Sequence, residues 1–366
     1  MKITIVIHSL GGGGAERAAV LLAQGLVAKK HQVSFITLSG QEFDFYHLPK
    51  NIPRIALKVI GSSANLLQAV QNNLQRLQSL RRAIDSCQPD VVISFLDKTN
   101  VLTLIACLGS KYPLVVSEQN DPTQNDIGRI WNFLRRLVYP FATTVVSCSQ
   151  GVNRNWNWLN SQQKAVIYNP LAVKTSELEA VSIELDPNQK KVVAMGRLTS
   201  QKGFDLLLKA FGMINTKFSD WQLIILGEGE QRKQLEQLIQ ELGIEQQVMI
   251  PGLVSNPFPI LKHSDLFGLS SRYEGFGNVI IEAMACGLPV ISTDCPSGPG
   301  EIITSGDNGI LVPNQEKDSL AKAMADLMSN PERRQEISAK AYLALSKFEI
   351  DVIVNQWEEL FTKMIN

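Results

Sequence analysis

One pattern constrains the fold of this chain more than any other. Short runs rich in Ile, Val and Leu alternate, from one end to the other, with longer segments whose apolar residues recur three or four apart. The short runs lack the apolar–polar alternation of a strand with one wet face. A strand that is apolar on both sides must be covered on both sides, and a parallel sheet with a helix after each strand does this. In the first half the spacing predicts strands over 2–8, 32–38, 90–95, 114–117 and 144–148, with helices over 16–29, 66–84, 99–107 and 127–141. In the second half it predicts strands over 191–195, 222–226, 248–250, 265–269, 289–292 and 310–312, with helices over 204–214, 231–242, 278–286 and 319–328.

A chain of 366 residues is too long for one ordinary core. The weakest stretch for regular structure is 169–189, which contains Asn169-Pro170 and Asp186-Pro187, both turn signals. The expected architecture is therefore α/β, with two doubly wound, Rossmann-like domains over 1–172 and 188–347 facing each other across a cleft. A last helix within 348–366 carries apolar Val352, Trp357, Leu360 and Phe361, and is expected to cross back to the first domain. Ligands of such sheets sit beyond the carboxyl ends of the strands.

Lys plus Arg and Asp plus Glu number 35 each, so no net field points to nucleic acid. The five cysteines are spread out with no C-x-x-C pair, which argues against a disulfide framework or a zinc ribbon and fits a reducing cytoplasm. No apolar run reaches the roughly 18 residues that span a bilayer. The opening Lys2-Ile3-Thr4-Ile5-Val6-Ile7 reads as a first strand, not a signal-peptide core.

Four motifs carry the candidate chemistry. Gly11-Gly12-Gly13-Gly14-Ala15-Glu16-Arg17 follows the first strand and opens a helix, where glycines allow close approach and the helix N-terminus favours anions. A dinucleotide site is not expected there: position 16 is Glu instead of Gly, and the second strand ends without an acid. A flexible turn is the plain alternative. Gly196-Arg197-Leu198-Thr199-Ser200-Gln201-Lys202-Gly203 follows the first strand of the second half. Its two cations either grip a diphosphate or are merely solvated.

The third motif, Glu274-Gly275-Phe276-Gly277-Asn278-Val279-Ile280-Ile281-Glu282, places two carboxylates around a glycine turn that becomes a helix. Carboxylates accept sugar hydroxyls, and helix-start amides suit phosphate; alternatively they are one loop acid and one ordinary helix Glu. The fourth, Pro296-Ser297-Gly298-Pro299-Gly300-Glu301, is a tight turn that either shapes a sugar site or is a turn only.

Taken together and in this order, these motifs resemble those of the family 4 retaining glycosyltransferases, which have the GT-B architecture, and the likeness covers nearly the whole chain. The resemblance implies that Arg197 and Lys202 hold the donor diphosphate, Glu282 the ribose and Glu274 hydroxyls of the transferred sugar. Gly196 and the backbone of Phe276, Gly277, Asn278 and Val279 complete that site, and Gly12, Gly13 and Gly14 close over the donor from the other domain. Ser94–Asn100 and Ser117–Pro122 are similar to a subgroup that builds bacterial surface polysaccharides and lipid-linked oligosaccharides. Gln119 stands where many relatives carry His or Arg, facing the reacting sugar.

The donor implied is a nucleotide sugar, UDP-hexose or UDP-N-acetylhexosamine, and the acceptor a glycan or a polyprenyl-linked sugar. Stereochemistry is expected to be retained. No two aspartates lie two apart, so the metal-binding Asp-x-Asp motif is absent, and Arg197, Lys202 and the helix start at Asn278 take its place. The reading calls for no metal and no cofactor. A sugar-nucleotide isomerase on the same architecture, or a non-catalytic binder, are the rivals, and the scarcity of histidine disfavours the first.

The segments 129–139 and 66–84 mix arginines with apolar residues at helical spacing. Each is either a core-facing helix with a solvated rim or a peripheral contact with the inner face of a membrane, in which Arg135 and Arg136 would meet the lipid.

Overall fold

The structure, a computed structural model, describes residues 1–59, 66–171 and 185–365. Most of the linker expected over 169–189 lies outside the described residues. The chain divides into two compact units, Met1–Pro170 with Phe348–Asn366, and Leu171–Lys347.

Unit 1 runs β1 (Lys2–Ile7), α1 (Gly14–Ala28), β2 (Gln32–Thr37), β3 (Arg54–Ala56), α2 (Leu66–Cys87), β4 (Val91–Phe95), α3 (Asp97–Ala106), β5 (Leu114–Glu118), α4 (Arg129–Val138), β6 (Thr144–Ser147), α5 (Gln150–Arg154) and β7 (Lys164–Val166). Unit 2 runs β8 (Lys190–Met195), α6 (Phe204–Gly212), β9 (Trp221–Leu226), α7 (Arg232–Leu242), β10 (Val248–Gly252), α8 (Phe258–Lys262), β11 (Leu266–Leu269), α9 (Asn278–Ala285), β12 (Val290–Asp294), α10 (Pro299–Ile302), β13 (Ile310–Pro313), α11 (Lys317–Ser329) and α12 (Pro331–Leu343). The last helix, α13 (Ile350–Ile365), belongs to unit 1.

Every ladder is parallel, as the doubly apolar strands require. The sheet order in unit 1 is β3-β2-β1-β4-β5-β6-β7, and in unit 2 it is β10-β9-β8-β11-β12-β13. The order therefore reverses between β1 and β4 in one sheet and between β8 and β11 in the other. At such a reversal the flanking loops diverge and leave a crevice at the carboxyl edge.

Short β3 and β7 were missed because three residues carry no readable period, and α12 because its buried face is only Ile337 and Ala341. Helix α13 packs on α1. A Cβ added to Gly25 would meet Val354 and Ile350, and Trp357 and Phe361 join the core built on Ile3, Ile5, Val20 and Phe35. The outer rim of that contact is polar, with His31 against Glu358 at 2.8 Å. All five cysteines are free thiols.

Candidate active site

In unit 2 the two loops at the sheet reversal are stitched together. Lys202, after β8, lies with its Nζ 2.5 Å from Oε1 of Glu274, after β11. Ser271 also donates to Glu274 Oε1, at 2.6 Å, and Thr293 at the end of β12 holds the Ser271 carbonyl at 2.6 Å. Both ionic side chains are largely buried, at 13% and 7% exposure. A buried pair persists only with good geometry and further hydrogen bonds, because each charge has lost its water. The Lys202 stem packs over Gly196, where an added Cβ would lie 3.2 Å from three of its carbons.

Gly203 explains the approach of the two loops. It sits at φ +59°, and an added Cβ would collide with the Ser270 carbonyl. Arg272 forks onto Asp205 with two bonds of 2.9 Å and donates to the Ser200 carbonyl at 2.7 Å, closing the frame from outside. Sequence reading did not single out Ser271, Arg272 or Asp205. Arg272 and Asp205 pair across 67 residues of chain, and the Ser271 carbonyl is held by Thr293, 22 residues on.

The remaining predicted residues of this unit lie around the pair. Arg197 is exposed on the β8 loop and makes no ion pair among the described residues. Phe276 is buried, Gly277 at φ +94° precedes α9, and Asn278 and Val279 form its first turn. Glu282, one turn further, is buried at 5% exposure. The motif thus places a buried carboxylate at 274, a helix start at 278 and a second buried carboxylate at 282 beside the sheet reversal. Among the described residues no cluster of three or more His, Cys, Asp or Glu is arranged to hold a metal ion.

Gly12, Gly13, Gly14 and Gln119 belong to unit 1. Gly13 caps α1, and the carboxylate of Glu16 folds back to where a Gly13 Cβ would stand. The glycine there makes room for the helix's own acid, which sits over the positive end of α1. Gln119 is held from both sides. It donates to Ser117 Oγ at 2.9 Å and accepts from Asn169 at 2.8 Å, so its amide has one fixed orientation.

A buried polar cluster carries this loop. Asp97, at the start of α3, accepts from Arg135 at 2.7 Å, Asn125 at 2.8 Å and Asn120 at 3.2 Å. The turn into α3 passes through Leu96 at φ +76°, a conformation that costs energy for a branched side chain. Beside it Glu118 is fully buried. It accepts from Asn100 at 3.1 Å and from the Tyr139 hydroxyl. Arg135 lies 6.0 and 5.5 Å from the Tyr139 and Trp156 ring centres. Arg135 is thus an interior counter-ion, which corrects the expectation that it would meet lipid. The helical period put it among exposed arginines, but its face of α4 turns inward to an acid 38 residues away. A basic group at the reversal was also not foreseen. Partial desolvation and the Arg76 and Lys98 cations hold the His8 imidazole below its usual value.

Desolvation, reinforced by the Asp97 charge, pushes the Glu118 carboxyl up to about 8. The folded chain therefore holds this proton more tightly than the unfolded chain, whose glutamate titrates near 4.5. The resulting stabilisation is full below pH 4.5, is lost as pH rises toward 8, and is absent above. Denaturant unfolding followed between these limits should show stability falling with pH in the wild type. Glu118→Gln, which cannot ionise, should flatten that slope, and an unchanged slope would refute the assignment.

Residues 12–174 match the family described as Glycosyltransferase Family 4, and residues 176–344 match Glycosyl transferases group 1. The chain is 30% identical, over 100% of its own length and 99% of the relative's, to a Campylobacter jejuni enzyme. That enzyme is named GalNAc-alpha-(1->4)-GalNAc-alpha-(1->3)-diNAcBac-PP-undecaprenol alpha-1,4-N-acetyl-D-galactosaminyltransferase. A second Campylobacter jejuni relative, N-acetylgalactosamine-N,N'-diacetylbacillosaminyl-diphospho-undecaprenol 4-alpha-N-acetylgalactosaminyltransferase, is 27% identical over 95% of this chain and 96% of its own. Among solved structures, HepE from Anabaena in complex with UDP and glucose superposes with a TM-score of 0.80 at 22% identity, covering 99% of this chain and 100% of that one. Sucrose-phosphate synthase from Thermosynechococcus elongatus reaches 0.83 at 18% identity, covering 100% and 99%. These likenesses show the GT-B fold, and the match along the full length of the first relative shows more: the chain belongs to the family 4 glycosyltransferases and is a hexosyltransferase.

Proposed function

We propose that this enzyme transfers a hexose or N-acetylhexosamine from a UDP-sugar, with retention and without a metal, to a lipid-linked glycan acceptor in surface-polysaccharide synthesis. The observation that carries the reading is the buried Lys202–Glu274 pair at the reversal of the unit 2 sheet. One Nζ–H of Lys202 is engaged by Glu274, which leaves two donors for phosphate oxygens. Arg197, exposed on the same loop, adds a planar fork for the leaving diphosphate, and the start of α9 adds partial positive charge. Charge that develops on the diphosphate as the glycosidic bond breaks is then met by fixed cations, the role a divalent ion has in other transferases. Glu274 and Glu282 serve as acceptors for sugar and ribose hydroxyls.

Unit 1 is the acceptor side in this reading, with Gln119, its amide fixed by Ser117 and Asn169, as a candidate contact to the acceptor. The undecaprenol-linked acceptors named for the two Campylobacter relatives support a lipid-linked acceptor, and the UDP complexes of HepE support the donor base. No helix among the described residues is long and apolar enough to cross a membrane. A peripheral site of action at the inner face of the plasma membrane fits such an acceptor.

The test is a thermal-shift panel of nucleotide sugars, followed by transfer assays with chelator. A UDP-sugar at about 100 times its Kd should raise stability by about 2.7 kcal/mol, whereas the matching GDP-sugar should not. Transfer that vanishes with chelator and returns with magnesium would overturn the metal-independent reading. An inverted anomeric centre in the product would overturn retention.

A further inference from the structure

We infer that Glu118 is a positioning residue that works as a neutral acid: it donates its carboxyl proton to Asp97 and so fixes the loop that carries Gln119. Glu118, the last residue of β5, is 0% exposed, and Asp97, the first residue of α3, is 6% exposed. Both carboxyls share one pocket with Arg135 of α4, whose side chain is 5% exposed. The remaining titratable group that faces Glu118 is the Tyr139 phenol, just beyond α4. Lys98 and Arg136, the next cations along α3 and α4, are exposed and stand over the Trp131 and Trp158 rings. Two buried acids therefore have one buried cation to balance them. With both ionised the pocket would hold a net negative charge away from water, and like charges in one site force a proton onto one of them.

The hydrogen bonds decide which acid keeps the proton. Asp97 accepts from Arg135 on Oδ1 and from Asn120 and Asn125 on Oδ2, a set of donors that suits an ionised carboxylate. Glu118 accepts from Asn100 and from the Tyr139 hydroxyl, both on Oε1. Its Oε2 is buried and meets no donor among the described residues. An ionised oxygen in that position has lost its water without compensation, whereas a protonated one needs only an acceptor. Asp97 supplies the acceptor. Burial, the Asp97 charge and a hydrogen bond between the two carboxyls all favour the protonated form of Glu118. That bond ties the loop down at both ends, because Glu118 immediately precedes Gln119 and Asp97 holds Asn120 and Asn125. When a base in solution takes the proton, two anions face each other across the contact that anchors the loop.

Glu118→Gln keeps an acceptor for Asn100 and Tyr139 and supplies an N–H toward Asp97, so it should fold and transfer like the wild type near neutral pH. The infrared difference between the two proteins should contain the carbonyl band of a protonated carboxylic acid at about pH 7. The band should be gone by about pH 9, since the Glu118 carboxyl titrates at about 8. In Asp97→Asn the Arg135 charge is left to Glu118, which should ionise and lose the band at neutral pH. Amide exchange over 119–125 should quicken in the wild type above about pH 8, measured against Glu118→Gln at each pH to remove the intrinsic rise of exchange with pH. The ratio of wild-type to Glu118→Gln transfer should fall about tenfold between about pH 7 and about pH 9. That last measurement rests on the proposed role of Gln119; the spectra and the exchange do not. A wild type without the band at neutral pH, a band that survives Asp97→Asn, or equal exchange in wild type and Glu118→Gln at alkaline pH overturns the proposal. A level transfer ratio beside the expected band and exchange overturns the contact of Gln119 with the acceptor and leaves the acid pair in place.

Discussion

Lys202→Ala is expected to lower kcat by about 10²–10³-fold, the usual loss when a preorganised group that meets developing charge is removed. The geometry sharpens this into a set of three measurements. Removing Lys202 takes the counter-ion from Glu274, a carboxylate only 7% exposed that keeps the Ser271 hydroxyl as a partner. Breaking a buried pair from one side costs about 3–5 kcal/mol, so the single variant should also be less stable. Glu274→Gln keeps an acceptor in place and should lose transfer with a smaller effect on folding. The double variant Lys202→Ala/Glu274→Gln strands no charge, so it should regain stability while transfer stays low. Denaturant unfolding and steady-state kinetics on the three proteins separate the roles. Wild-type kcat in Lys202→Ala, or transfer restored together with stability in the double variant, would show the pair to be structural only.

Two adjacent arginines of α4 should behave in opposite ways. Arg135 is 5% exposed, bonded to Asp97, and shares its pocket with the Glu118 carboxyl and the Tyr139 and Trp156 rings. Arg135→Ala leaves Asp97 without its cation, a loss of about 3–5 kcal/mol. At roughly 2–4 °C per kcal/mol for a unit of this size, the thermal transition of unit 1 should fall by about 10 °C. Arg136 is exposed, over the Trp158 ring, and Arg136→Ala should stay within about 0.5 kcal/mol of wild type. Because Asp97 also holds Asn120 and Asn125, the loop that carries Gln119 should loosen in Arg135→Ala. Faster amide exchange over 119–125 would report this. Similar transitions in the two variants would mean that the Asp97–Arg135 contact contributes nothing.

Much of the 274–282 motif was legible in the residues because it is local. Glu274, Gly277, Asn278 and Glu282 fall within nine positions, where a turn and one helix period decide the placement. The glycine run at 11–14 was legible as a turn, but its use was not: Glu16 lies over the positive end of α1, and only coordinates place that carboxylate. The loop that carries Gln119 was legible as a motif, but not as the cover of a buried charge network.

What the sequence determined by itself was the class of fold and the order of its longer strands and helices. Doubly apolar strands, each followed by an amphipathic helix, point to a covered parallel sheet, and the amphipathic periods mark the helices that cover it. Tertiary structure decided which charges became interior. A helical period shows that Arg135 and Arg136 point different ways but not which way is in, and no local pattern pairs residue 97 with 135 or 202 with 274. The 202–274 contact joins the loops after β8 and β11, strands that are neighbours only because that sheet reverses its order there, and the reversal is a property of chain topology, which no single segment encodes.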